Sequence, residues 1–121
     1  MTEQRSHKEL LEIMRKDKPQ FSPGSKTSYS NTNYVLLGFI IEDITGQSYA
    51  EQLQKRIVEP LNLKNTYYGD GINPADNEAL SYRYKSSEWN KMPQTDMSIP
   101  GGAGAIVSTP ADLTDFIHEI G

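Results

Sequence analysis

The sequence predicts a mainly α-helical chain interrupted by one long irregular loop. Helix-start signals and apolar residues at helical spacing mark four segments within residues 6–59 and 108–120. Residues 66–106 are instead polar, rich in Tyr, Asn and Ser, and show no convincing period. With 121 residues the chain is at most one modest domain, so we treat residues 1–121 as one unit with residues 66–106 as its loop.

The first helix is predicted to begin at Ser6, because Ser6 and Glu9 have the spacing of a capping box. It should end at Lys18-Pro19, since a residue before proline disfavours the helical conformation.

The second helix should begin at Asn31 or Thr32, with Ser30 or Asn31 as its cap, and end at Thr45 before Gly46. Its apolar residues surround it almost completely, which predicts a position in the middle of a packed body. Gly38 within it suggests a close helix crossing.

The remaining helices also have local start signals. The third opens with a capping box at Ser48 and Glu51 and should stop before Pro60. The last should start at Ser108-Thr109-Pro110, with Leu113, Phe116, Ile117 and Ile120 predicted as buried. A short strand near residues 79–84 is the one regular element expected inside the loop.

Composition argues against several functions. A net charge of −4 and a pI near 5.1 provide no cationic surface for nucleic acid. There is no cysteine, and only His7 and His118 are present, so we expect neither thiol chemistry nor a multi-histidine metal site, and no cofactor is indicated. The longest apolar run, Tyr34 to Ile41, is too short for a membrane span, and no signal peptide pattern follows Met1.

Two stretches resemble the serine β-lactamase-related family, which includes class C β-lactamases, D-alanyl-D-alanine carboxypeptidases and related esterases. The first contains Tyr29-Ser30-Asn31 and the apolar helix that follows. The second runs from Gly101-Gly102-Ala103-Gly104 to Ser108-Thr109-Pro110-Ala111-Asp112-Leu113. The resemblance implies the helical part of the α/β (α+β) fold of serine β-lactamases and penicillin-binding proteins, without most of its antiparallel sheet.

The resemblance also implies site residues. Tyr29 would be the catalytic tyrosine, which exchanges a proton with a nucleophilic serine, and Asn31 would bind the substrate's amide group. Gly102 and Gly104 would line the cleft as part of the family's glycine turn. Alternate residues of an extended segment point the same way, so Tyr29 and Asn31 can face one cleft. The plainer alternative is a half-buried tyrosine, a helix cap and an ordinary glycine connector.

Departures from the family pattern limit what this chain can do. No lysine has a serine three positions before it, so the Ser-x-x-Lys motif that supplies the nucleophile is absent. The family's third motif, Lys-Thr-Gly or His-x-Gly, is absent as well, because the nearest match, Lys26-Thr27-Ser28, lies too close to Tyr29 to form the opposite wall of a cleft. We therefore expect a partial domain from a larger serine hydrolase, inactive alone, whose parent acts through an acyl-enzyme on a β-lactam, a D-Ala-D-Ala peptide, or a small ester or amide.

The alternative from another class is a non-catalytic module that binds a peptide or a partner on the same scaffold. Without a sheet to cover it, the apolar surface also predicts self-association. By resemblance, the parent would be exported or periplasmic.

Five aromatic residues of the loop either line a substrate rim or pack partly against the helices, namely Tyr67, Tyr68, Tyr82, Tyr84 and Trp89. Three nearby acids are expected to be solvated, namely Asp70, Asp76 and Glu78.

Overall fold

The computed structural model describes residues 6–120. Helix α1 spans His7–Met14, and the capping box is present, since Ser6 accepts from the Glu9 amide while the Glu9 side chain binds the Ser6 backbone. Helix α1 ends at Met14 and is shorter than predicted, since its predicted end was Lys18-Pro19. His7 stacks on Phe39 with ring centroids 3.9 Å apart, and its Nε2 lies 3.3 Å from Oε2 of Glu42. These contacts attach α1 to the next helix.

Helix α2 spans Asn31–Thr45 and ends at Gly46, whose φ of 65° is left-handed as predicted. The prediction that α2 lies in the middle of a packed body is wrong for this chain. Its buried residues are Val35 and Gly38, whereas Ile44 is 78% exposed. One side of α2 packs against a glycine turn, and its other apolar side chains remain uncovered.

Helix α3 spans Tyr49–Leu53 behind the predicted capping box at Ser48. It continues as a π-helical turn over Gln54–Val58, in which the Glu59 amide bonds to the Gln54 carbonyl oxygen at 2.9 Å. The wider turn ends the helix just before Pro60, close to the predicted boundary. An open apolar cleft of about 400 Å³ lies between α2 and α3.

The predicted long irregular loop is not confirmed, because residues 66–106 contain regular pieces. Strand β1, Tyr67–Tyr68, pairs antiparallel with β4, Ile106–Val107, so that Tyr67 faces Val107. Strands β2, Tyr82–Lys85, and β3, Glu88–Lys91, form a hairpin. Short 3-10 turns occur at Pro74–Asp76 and Gly101–Ala103. The expected strand at 79–84 therefore overlaps β2 and is shifted along the chain.

The core is small and lies beside α3. It consists of Leu53, Val58 and Leu63, with partly buried neighbours including Phe116 and Tyr68. Helix α4 spans Pro110–Ile120 and starts at the predicted proline. The burial predicted for α4 is mostly wrong: Phe116 packs on the core, but Leu113, Ile117 and Ile120 are exposed. Within residues 6–120, no other element buries these three side chains of α4.

Candidate functional site

Tyr29 and Asn31 lie together at the amino end of α2. Ser30 between them has an extended backbone, with φ −148° and ψ 117°, and Asn31 is the first residue of the helix. The Tyr29 hydroxyl donates a hydrogen bond to Oδ1 of Asn31 at 2.8 Å. Because alternate residues of an extended segment share a side, this local backbone brings the phenol and the carboxamide into contact.

Two details of the plainer alternative for this pair differ from the structure. Tyr29 is 78% exposed rather than half-buried. The residue at the cap position of α2 is Ser30, which makes no side-chain capping bond, so Asn31 is not the cap. The Tyr29 ring has Tyr34 as its neighbour, with centroids 6.1 Å apart and planes tilted by 38°. The phenol therefore projects into solvent above the first turn of α2.

The glycine turn packs directly on α2. The amide nitrogen of Gly102 lies 3.4 Å from the Cβ position that a side chain at Gly38 would need, and a Cβ on Gly102 would lie 2.6 Å from the Tyr34 carbonyl oxygen. The close helix crossing predicted at Gly38 is therefore replaced by close contact with this turn. A Cβ on Gly104 would instead meet Pro100 at 3.6 Å, an ordinary contact. Gly102 thus lies against the helix that carries Asn31, and Gly104 is farther along the turn.

The buried carboxylate of Asp112, to which the sequence patterns assigned no role, joins α4 to the segment before β1. Oδ2 of Asp112 accepts from the Asn65 amide at 2.7 Å and from the Thr66 hydroxyl at 2.8 Å. The Ser108 hydroxyl lies 2.8 Å from that of Thr66. The hydrogen bond from the Thr66 hydroxyl, followed by the bond from the Asn65 amide, lowers the pKa of Asp112. An acid in the first turn of a helix was the available signal, but its partners lie more than forty residues away.

A second polar cluster lies beside β1. The Tyr67 hydroxyl donates to Oε1 of Glu78, and Oε2 of the same carboxylate accepts from the Asn73 amide at 2.6 Å. The bond from Tyr67 lowers the pKa of Glu78, and the same bond raises the pKa of Tyr67. The expectation that Glu78 is merely solvated is therefore wrong. Asp70 and Asp76 border the same cavity of about 600 Å³.

Tyr29 and Asn31 can position a substrate through hydrogen bonds, but they do not supply a nucleophile. An exposed phenol and a carboxamide can exchange hydrogen bonds with an incoming amide or ester, but the chain has no Ser-x-x-Lys to form an acyl-enzyme. In the part of the chain that the structure describes, no group of three or more His, Asp or Glu side chains is arranged to hold a metal.

None of the helices between residues 6 and 120 is both long enough and apolar enough to span a bilayer.

Two solved hydrolase structures are similar to this chain in fold. The D-amino acid amidase from Ochrobactrum anthropi SV3 superimposes with a TM-score of 0.79 at 33% identity, covering 99% of this chain and 36% of that one. A D-stereospecific amidohydrolase from Streptomyces sp. gives a TM-score of 0.78 at 30% identity, covering 97% of this chain and 35% of that one. The predicted helical part of the β-lactamase-like fold agrees with these similarities.

Sequence comparison then identifies the family. Residues 1–120 match the Beta-lactamase family model, and the chain belongs to this family. A teichoic acid D-alanine hydrolase of Staphylococcus aureus is 33% identical over 95 residues, which is 78% of this chain and 24% of that protein. The chain therefore spans about a quarter of the length of the curated relatives it matches. The predicted family resemblance is confirmed.

Proposed function

We propose that this chain supplies the tyrosine and asparagine of a serine hydrolase site that cleaves D-aminoacyl esters or amides through an acyl-enzyme. The observation that carries the proposal is the 2.8 Å hydrogen bond between Tyr29 and Asn31 at the exposed amino end of α2. The three relatives described above support the substrate class, since they are named a teichoic acid D-alanine hydrolase, a D-stereospecific amidohydrolase and a D-amino acid amidase.

In the proposed reaction, a serine outside this chain attacks the acyl carbon while its proton passes to the Tyr29 phenolate. The same proton is then delivered to the leaving alcohol or amine, and water later hydrolyses the acyl-enzyme. Cationic groups of the complete site would stabilise this phenolate. Asn31 orients the substrate amide, and Gly102 and Gly104 shape the neighbouring wall.

We further propose that residues 1–121 act as part of a larger domain and are inactive alone. The relatives extend well beyond the matched region, since the chain covers 36% of the amidase. The uncovered apolar residues of α2, among them Leu37, Ile40 and Ile44, provide a surface on which additional polypeptide can pack. Incubation of this chain with a fluorescent penicillin should give no covalent mass increase. A stoichiometric increase would contradict the proposal.

A chimaera provides the positive test. This chain replaces the corresponding segment of the Ochrobactrum anthropi amidase, and hydrolysis of D-phenylalanine amide is measured after circular dichroism has shown that the chimaera folds. We expect turnover, and Tyr29→Phe should lower kcat/KM by about 10² or more, the usual range for a lost proton-transfer group. Tyr67→Phe is the matched control, because it removes a hydrogen-bonded phenolic hydroxyl outside the pair. Equal losses in both variants would contradict the role of Tyr29.

A further inference from the structure

Tyr68 holds both ends of the segment that contains the glycine turn. Its backbone pairs with Ile106 in the β1–β4 sheet, and its hydroxyl donates a hydrogen bond to the Met97 carbonyl oxygen at 3.0 Å. The amide of the next residue, Gly69, donates to the Ala105 carbonyl oxygen at 2.7 Å. The chain from Met97 to Ile106 therefore starts and ends at strand β1, and the glycine turn lies between these two attachments.

The Tyr68 side chain is itself held in place by packing. It is half-buried against the small core beside α3. Its ring meets the ring of Tyr49 edge to face, with centroids 6.0 Å apart. Burial, followed by the negative charge of Glu42, raises the pKa of the Tyr68 phenol. The hydroxyl therefore stays protonated, and able to donate, through neutral and mildly alkaline pH.

The Met97 carbonyl oxygen connects Tyr68 to the glycine turn. Besides the Tyr68 hydroxyl, it accepts the Gly101 amide at 3.2 Å. Gly102 follows directly and packs on the backbone of α2, with its Cβ position only 2.6 Å from the Tyr34 carbonyl oxygen. Since the turn and the helix are already in close contact, a displacement of Met97 changes how the turn packs on α2.

The turn meets α2 beside the two residues of the proposed site. Tyr34 lies three positions after Asn31 on α2, so the two side chains share one side of the helix. The Tyr34 ring also neighbours the Tyr29 ring, with centroids 6.1 Å apart. A misplacement of about 1 Å can cost on the order of 10² in rate. The position of the turn against Tyr34 therefore bears on catalysis by the neighbouring pair.

We propose that Tyr68 is a positioning residue of the acyl-transfer site. Its hydroxyl fixes Met97, Met97 fixes the glycine turn, and the glycine turn fixes the amino end of α2, which carries Asn31. The inference rests on the proposed function and adds a residue to the same site. The competing role is general stabilisation of the fold, in which the hydroxyl matters no more to the turn than to other parts of the chain. Tyr68→Phe separates the two roles, because it keeps the buried ring and removes only the hydroxyl.

Amide hydrogen exchange in this chain tests the connection to the turn. Three amides of the turn are hydrogen-bonded within it or to Met97, namely those of Gly101, Ala103 and Ala105. In Tyr68→Phe we expect them to exchange about two- to tenfold faster, the effect of one lost hydrogen bond on local opening, while amides of α4 change by less than about twofold. The matched control is Tyr67→Phe, which removes a phenolic hydroxyl that bonds Glu78 outside the segment and should leave the turn amides unchanged.

The amidase chimaera tests the connection to catalysis. In it, kcat/KM is measured for D-phenylalanine amide and for D-phenylalanine methyl ester. An amine leaves only after it gains a proton, whereas an alcohol leaves more readily, so a misplaced Tyr29 should slow amide cleavage more than ester cleavage. We expect Tyr68→Phe to lower the amide-to-ester ratio of kcat/KM about threefold or more. This ratio does not depend on the amount of folded enzyme, so general destabilisation leaves it unchanged.

A second variant, Gly102→Ala, displaces the turn at its contact with α2 without altering Tyr68, and it should lower the same ratio. The inference is overturned if Tyr68→Phe leaves the amide-to-ester ratio at the value of Tyr67→Phe, or if exchange accelerates equally throughout the chain. Either result leaves the proposed function intact when Tyr29→Phe still loses activity. If Tyr29→Phe retains full activity, the proposed function fails and the inference fails with it, whatever the exchange rates are.

Discussion

The contact between Gly102 and α2 leads to a quantitative prediction. A methyl group at position 102 would lie 2.6 Å from the Tyr34 carbonyl oxygen and 3.4 Å from the Cα of Gly38. Both neighbours are backbone atoms of a regular helix, so neither can swing aside as a flexible side chain would. Gly102→Ala must therefore push the glycine turn away from α2 or distort the helix.

The expected cost follows from the geometry. Over-packing of this kind destabilises a protein by about 1–3 kcal/mol. Replacing glycine also removes about 0.4–1 kcal/mol of unfolded-chain entropy, which partly offsets that cost. We expect a net loss of about 1–2 kcal/mol in the free energy of unfolding. With an unfolding entropy of about 0.25 kcal/mol/K for 121 residues, Tm should fall by roughly 4–8 °C.

The assay is thermal unfolding followed by circular dichroism, with Gly104→Ala as the matched control two positions away. An added Cβ there meets Pro100 at an ordinary 3.6 Å, and the φ of 173° is open to any residue. The control should therefore stay within about 0.5 kcal/mol of the wild type, the range of neutral substitutions. If both variants unfold at the wild-type temperature, the close packing of Gly102 on α2 is wrong. Equal destabilisation of both would show that the turn tolerates no side chain for another reason.

Three further predictions concern the buried carboxylate, the uncovered helix face and the hairpin turn. Because the hydrogen bonds to Asp112 lower its folded-state pKa below the ordinary value of 3.8, this group contributes stability above that value and loses it as pH falls through the folded-state pKa. Asp112→Asn should therefore show a smaller loss of stability in acid unfolding, and an unchanged acid profile would contradict this. Ile44→Glu should reduce self-association of the chain in sedimentation velocity, since Ile44 is 78% exposed on α2; an unaltered or increased association would count against that face. Ser87→Gly should stabilise the chain by about 0.5–1 kcal/mol in thermal unfolding, because Ser87 has a φ of 64° that glycine adopts without strain. Ser28→Gly, at a position without positive φ, should give no gain, and a similar gain there would refute the argument.

The amino-acid sequence by itself determined where the helices begin and where α2 ends, although α1 ends at Met14, before the predicted Lys18-Pro19. Capping boxes at Ser6 and Ser48, the left-handed Gly46 and the first-turn Pro110 each act within a few residues, so their effect can be read locally. The contact between Tyr29 and Asn31 has the same origin, since one extended residue separates them. The family resemblance depended on these same local patterns.

Only the tertiary structure decided which faces are covered and which distant residues meet. The apolar residues of α2 and α4 were predicted to be buried, yet burial requires a partner surface, and within residues 6–120 most of them have none. The pairing of Tyr67 with Val107 and the bonds from Thr66 to Asp112 join segments about forty residues apart. Bringing these segments together costs chain entropy, which the packing and hydrogen bonds of the whole fold offset. Because those interactions join residues distant in sequence, local patterns do not predict them.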